Sequence, residues 1–94
     1  MEMEFEWDEE KRRTNIRDHD IDFLEARKIF KGPIIEQIDD REDYGEERCR
    51  AIGSTGRITL VVIFVRRGTI VRIIRAWKAR RNEEENWYRA VYDG

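Results

Sequence analysis

The densest apolar run in the chain, Ile58-Thr59-Leu60-Val61-Val62-Ile63-Phe64-Val65, is hydrophobic at odd and even positions alike. Such a run predicts a strand buried on both faces in the middle of a sheet, here Arg57 to Arg66. Arg67-Gly68 then turns into a further strand, Thr69 to Ala76, whose alternation sets Ile70, Arg72 and Ile74 on one face and Val71, Ile73 and Arg75 on the other. Upstream, Ile34 to Ile38 and Glu46 to Gly53 read as two more strands, and Ser54-Thr55-Gly56 supplies the turn out of the second. The four make an antiparallel meander.

Helical patterns flank the meander. Phe5-Glu6-Trp7 alternates as a short strand, left open as an addition to the sheet, and Asp8 is a fitting N-cap for a helix that runs to His19. After Asp20, the apolar residues Ile21, Phe23, Ala26, Ile29 and Phe30 recur at helical spacing until Gly32-Pro33 stops them. At the other end, Asn82 with Glu85 three residues later has capping-box spacing, and Glu83-Glu84-Glu85 places negative charge at the positive end of a last helix. That helix is expected to pack through Trp87 and Val91. The predicted class is α+β: two short N-terminal helices, a four-stranded antiparallel sheet and a C-terminal helix, in a single domain spanning 1–94.

Charge changes the picture. Residues 1–47 hold 17 acidic and 8 basic side chains, whereas 48–94 hold 11 basic and 4 acidic ones. From Arg48 to Asn82 there is no Asp or Glu, and nine of the ten cations are arginine, whose planar fork matches phosphate oxygens. A polyanion is therefore the first partner to consider. The acidic N-terminus does not read as a signal peptide, and no apolar stretch approaches the length needed to cross a bilayer. The single Cys49 has no partner for an internal disulfide, which fits a reducing cytoplasm.

Candidate chemistry is sparse. No Gly-rich phosphate loop, His/Cys metal cluster or Ser-His-Asp set can be assembled, so neither a metal nor a cofactor is implied. The acidic loop Asp39 to Gly45 reads as solvated charge rather than a cation site. Lys11, Asn15 and His19, four residues apart, share one helical stripe that holds the only histidine. His19 reads either as a reactive group or as a cation at a helix end, and Asn15 as a hydrogen-bonding structural residue. Arg72, amid aliphatics, either faces a positive concave sheet beside Arg48 or Arg50 or pairs with Glu36 or Glu83.

The spacing Phe5-x-Trp7-Asp8-x-x-Lys11-x-x-x-Asn15-x-x-x-His19-x-Ile21-x-Phe23-x-x-Ala26-x-x-x-Phe30, with Glu47-Arg48, Arg72-Ile73-Ile74, Ala76 and Lys78-Ala79 further on, resembles the BrnT toxins of bacterial type II toxin–antitoxin systems. The resemblance implies a RelE/ParE-like endoribonuclease that acts without metal. It also implies a BrnA-like ribbon-helix-helix antitoxin as partner, with operator DNA reached only through that antitoxin. Carried onto this chain, Lys11, His19, Arg48, Arg72 and Glu83 are the catalytic candidates. Arg72 and Arg48 would clamp phosphate, His19 or Glu83 would act as base, and Lys11 would be a second cation or acid. Arg50, Arg75, Trp77, Lys78, Arg80, Arg81 and Tyr88 are the RNA-contact candidates. The chain departs from the usual Ile-Ser-Ala-Arg-Lys-Ala-Thr, with Trp77 at the usual arginine and Arg80 at the usual threonine, and has Asp18 and Asp20 where Lys and Gly are usual. A non-catalytic module that holds RNA or an acidic partner on the same basic sheet is the alternative function.

Overall fold

The computed structural model describes residues 3–40 and 45–93. Five strands form one sheet in the order β1-β5-β4-β3-β2. They are β1 (Glu4–Glu6), β2 (Ile34–Asp39), β3 (Arg48–Ser54), β4 (Thr59–Arg67) and β5 (Ile70–Lys78). β2 to β5 are the predicted antiparallel meander, and the sheet gains the short N-terminal strand, which lies parallel to β5 through Glu4↔Ile70 and Glu6↔Arg72. Of the predicted acidic loop, Asp39 is instead the buried last residue of β2, and 41–44 lie outside the described residues.

Three helices pack on the sheet: α1 (Glu9–His19), α2 (Phe23–Ala26) and α3 (Arg81–Tyr88). The second predicted helix is thus shorter than its apolar spacing suggested, because the chain tightens into a 3-10 turn over Arg27–Lys31 before Gly32. A close approach explains where that turn sits. A Cβ on Gly53 would stand 2.8 Å from Ile34 Cγ2 and 2.9 Å from Ile29 Cβ, so only glycine lets the turn lie this close to β3.

β4 is buried on both faces, as its sequence predicted, and divides the core in two. Leu60, Val62 and Phe64 join Phe23, Ala26 and Ile29 beneath α2, where the rings of Phe5, Phe30 and Phe64 follow one another at 5.6 and 5.0 Å. On the other face, Val61 and Ile52 pack against Trp87 of α3, with Val91 alongside. Trp87 also donates its indole N–H to the Pro33 carbonyl at 3.0 Å. The cap of α3 differs from the Asn82/Glu85 box expected. Arg80 is the N-cap residue, and the Glu83 carboxylate accepts its backbone N–H at 2.8 Å, the carboxylate half of a capping box two residues nearer the N-terminus.

One irregularity bears on function. The β4–β5 register shifts between Ile63↔Arg75 and Phe64↔Ile73, which leaves Ile74 as an extra residue in β5. This bulge breaks the alternation predicted from sequence. Arg75 therefore does not share a face with Val71 and Ile73; it stands opposite Ile63, on the same face as Arg72 and Trp77.

Candidate active site

α1 is an unusual helix because almost nothing apolar holds it. Its sequence, EEKRRTNIRDH, contains one aliphatic residue, Ile16, and the only residue it buries is Asn15. Its ends are capped well: Asp8 accepts the N–H groups of Glu10 and Lys11 at 2.8 and 3.2 Å, and Asp20, in the left-handed region at φ 58°, returns its N–H to Ile16. Asp20 thus occupies a backbone conformation that glycine adopts more freely, the residue usual there in the resemblance noted above. Arg12 ties the helix to the start of α2 by pairing with Glu9 at 2.8 Å and Asp22 at 2.9 Å.

Asn15 makes the remaining connection. Its Nδ2 donates to the carbonyls of Ile21 and Ala76, both at 2.8 Å, and its Oδ1 accepts the Ala76 N–H at 3.0 Å. β1 pairs with β5 only as far as Arg72, so the Ala76 peptide groups lie past its end. The amide of Asn15 pairs with both of them, as a neighbouring strand would.

Between α1 and β5 lies a cleft of about 690 Å³. Lys11 and His19 line it from the helix, Arg75 and the bulged Ile74 from β5, and Arg48 from β3. Arg13 and Thr14 also contribute; Thr14 was legible as the i+3 neighbour of Lys11, on the flank of the same stripe. Three acidic residues line the cleft as well, but two are already engaged. Asp8 caps the helix, and Asp18 pairs with Arg17 at 2.9 Å, a hydrogen bond that, helped by the charge of His19, holds the Asp18 carboxyl below its ordinary range. Among the described residues the side chains of Lys11 and Arg75 have no ion-pair or hydrogen-bond partner, and the ring of His19 faces Trp77, centroids 6.4 Å apart and tilted by 42°. The cleft is a cationic slot with an imidazole at one end.

The remaining sequence candidates stand elsewhere. Arg72 does not line the cleft; its partner is Glu6 of β1 at 2.5 Å, not Glu36 or Glu83. Glu83 is buried, paired with Arg50 and capping α3, so the structure does not bring it to His19. Arg81 pairs with Glu85 at 3.3 Å, and Tyr88 stacks on Tyr92 with centroids 4.7 Å apart. Lys78 and Arg80 are exposed at the end of β5 and the start of α3. On the face shared with Arg75, Ile63 and Val65 are only 2% and 5% exposed although they belong to neither apolar cluster. Their cross-strand neighbours there are Arg50, Arg75 and Arg72.

A small α+β domain with a cationic, imidazole-bearing cleft is a frame for handling a polyanion. The chain belongs to the BrnT family: the family described as the ribonuclease toxin, BrnT, of type II toxin-antitoxin system matches residues 7–83. Among solved structures it is similar to the Brucella abortus ribonuclease toxin, BrnT, at 29% sequence identity and a TM-score of 0.61, over 84% of this chain and 99% of that one. No curated protein matches the sequence. No helix of the described residues is long and apolar enough to cross a membrane.

Proposed function

We propose that the chain is a ribonuclease toxin that cuts RNA in the α1–β5 cleft without a metal ion, on a RelE/ParE-like frame. The observation that carries this is the convergence of Lys11, His19 and Arg75 on one slot, with Arg48 lining it. Cleavage by attack of a ribose 2′-OH on the adjacent phosphate needs a proton acceptor, positive charge on the phosphorane and an acid for the leaving 5′-oxygen. Arg75 and Arg48 grip the phosphate, in the place the sequence assigned to Arg72. His19 exchanges the proton, and Lys11 supplies the second cation or the acid. The positive charge that the cleft itself brings supports a metal-free route.

In a toxin–antitoxin pair the cleft is also the place to block. We assign the partner to a BrnA-like ribbon-helix-helix antitoxin that carries an acidic segment into the cleft and alone contacts operator DNA, in the cytoplasm. The test is incubation of the purified chain with total RNA in EDTA, beside His19→Ala. Fragmentation by the wild type and a loss of about 10²- to 10⁴-fold in the variant are expected. RNA that is bound with steep salt dependence yet stays intact would replace the enzyme with a binding module.

A further inference from the structure

We infer that Asn15 is the positioning residue of the cleft: its amide fixes the separation of α1 from β5 and hence of Lys11 and His19 from Arg75. The inference rests on the ribonuclease reading of that cleft. A helix usually takes its place on a sheet through an apolar stripe, which side-chain packing holds to within fractions of an ångström. α1 has none, since Asn15 is its only buried residue. Directional hydrogen bonds must therefore set its distance and rotation.

The three bonds of Asn15 join the segments that build the cleft. Lys11 and His19 lie one turn before and one turn after it on the same stripe, so their heads move with its Cα. Ala76, bonded through both its N–H and its C=O, follows Arg75 directly. Ile21 follows the left-handed Asp20 that ends α1, so the third bond holds the turn just past His19. The bulge at Ile74 turns Arg75 out of the alternation of β5, and the clip at Ala76 holds the strand immediately beyond that irregularity. No other side chain of α1 bonds to β5 among the described residues. Arg12 reaches only Glu9 and Asp22, and so ties α1 to α2 without fixing its distance from the strand.

Two variants of the full chain test this. Asn15→Asp keeps size and the acceptor but removes both donors; Asn15→Gln keeps the chemistry on an arm one methylene too long. With a short RNA cut by the wild type, kcat is expected to fall about 10- to 100-fold in both while KM stays within about threefold, at temperatures where circular dichroism reports a native fold. Combined with Arg75→Ala, the loss should be smaller than the product of the single losses, because a misaligned arginine has less to lose. Wild-type kcat in a folded variant overturns the proposal, and so does a loss that follows the unfolded fraction and multiplies fully with Arg75→Ala.

The clip is also read without catalysis. In Asn15→Ala the Ala76 amide should exchange with deuterium at least about tenfold faster while the Val62 amide of β4 keeps its rate. Unchanged exchange at Ala76 overturns the clip whether or not RNA is cut. A wild type that leaves RNA intact overturns only the ribonuclease reading.

Discussion

Two sets of cations occupy this molecule, and they differ in whether a carboxylate has reached them. Elsewhere on the sheet, Arg50 pairs with Glu83, Arg66 with Glu36, Arg67 with Glu46 and Arg72 with Glu6. In the cleft, the side chains of Lys11 and Arg75 have no such partner among the described residues. Three of the four pairing carboxylates come from the acidic first half of the chain, which folds against the basic second half. The charge separation so plain in the sequence is therefore partly cancelled in space. An anion must displace a carboxylate from a paired guanidinium but meets an unpaired one directly, so Lys11 and Arg75, unpaired and facing one slot, are better placed to take a phosphate than the paired arginines of the sheet.

The largest effect expected from this contrast is on stability. Arg50 and Glu83 have side chains only 20% and 7% exposed, so removing the cation alone strands a buried carboxylate. Arg50→Leu should cost about 3–5 kcal/mol in urea unfolding. Arg50→Leu with Glu83→Leu should recover much of that, less the α3 cap that Glu83 supplies to Arg80, about 1 kcal/mol. A cost under about 1 kcal/mol for the single variant would show that Arg50 is as free as Lys11 and Arg75, and the contrast would fail.

Next in size is the effect on RNA. Arg75→Ala should lower kcat/KM for RNA cleavage about 10²-fold, as removal of one preorganised donor to a developing negative charge does. Arg66→Ala and Arg67→Ala, equally basic and in the same acid-free stretch, should stay within about twofold. Equal losses at Arg75 and Arg66 would mean that the sheet binds RNA by bulk charge and that pairing decides nothing.

The parts of this arrangement that sequence exposes are those governed by local periodicity. The meander, the two-faced burial of β4, the Asp8 cap and the stripe of Lys11, Asn15 and His19 all follow from side-chain spacing. Asn15 was also readable as structural, although not that it would stand in for a strand. What escaped is set by non-local geometry. A one-residue bulge at Ile74 rotates Arg75 onto the face of Arg72, and no composition rule announces a bulge without a glycine. Which carboxylate answers which arginine depends on strand order, so Glu6 became the partner of Arg72 only because β1 returns parallel to β5. The role of Glu83 turned for the same reason, since burial under α3 pairs it with Arg50 and keeps it from His19.

The smallest effect separates the exposed pairs from the buried one by pH. The Arg66 guanidinium, bonded to Glu36 at 2.6 Å, holds the Glu36 carboxyl below its ordinary range against the opposing effect of burial. A carboxyl that is more acidic in the folded chain than in the unfolded one binds fewer protons when folded. Its contribution is therefore present above the ordinary carboxylate range and is lost as pH falls through the folded value. Both side chains are about a third exposed, so solvent limits the pair to about 0.5 kcal/mol. Unfolding free energies from urea titrations of the wild type and Glu36→Gln should differ by that amount at pH 7, and the midpoints should converge toward pH 3. Cys49 acts at the other end of the scale: burial, with the Glu36 charge beside it, raises its thiol, so the folded chain loses stability as pH rises past the ordinary thiol range. Replacing Glu36 removes one of the causes that raise Cys49, so the variant should lose less stability than the wild type in alkali. A midpoint difference that stays constant from pH 3 to pH 7 would show that Glu36 stabilises the fold through packing against β3, and that Arg66 is as unpaired in solution as Arg75.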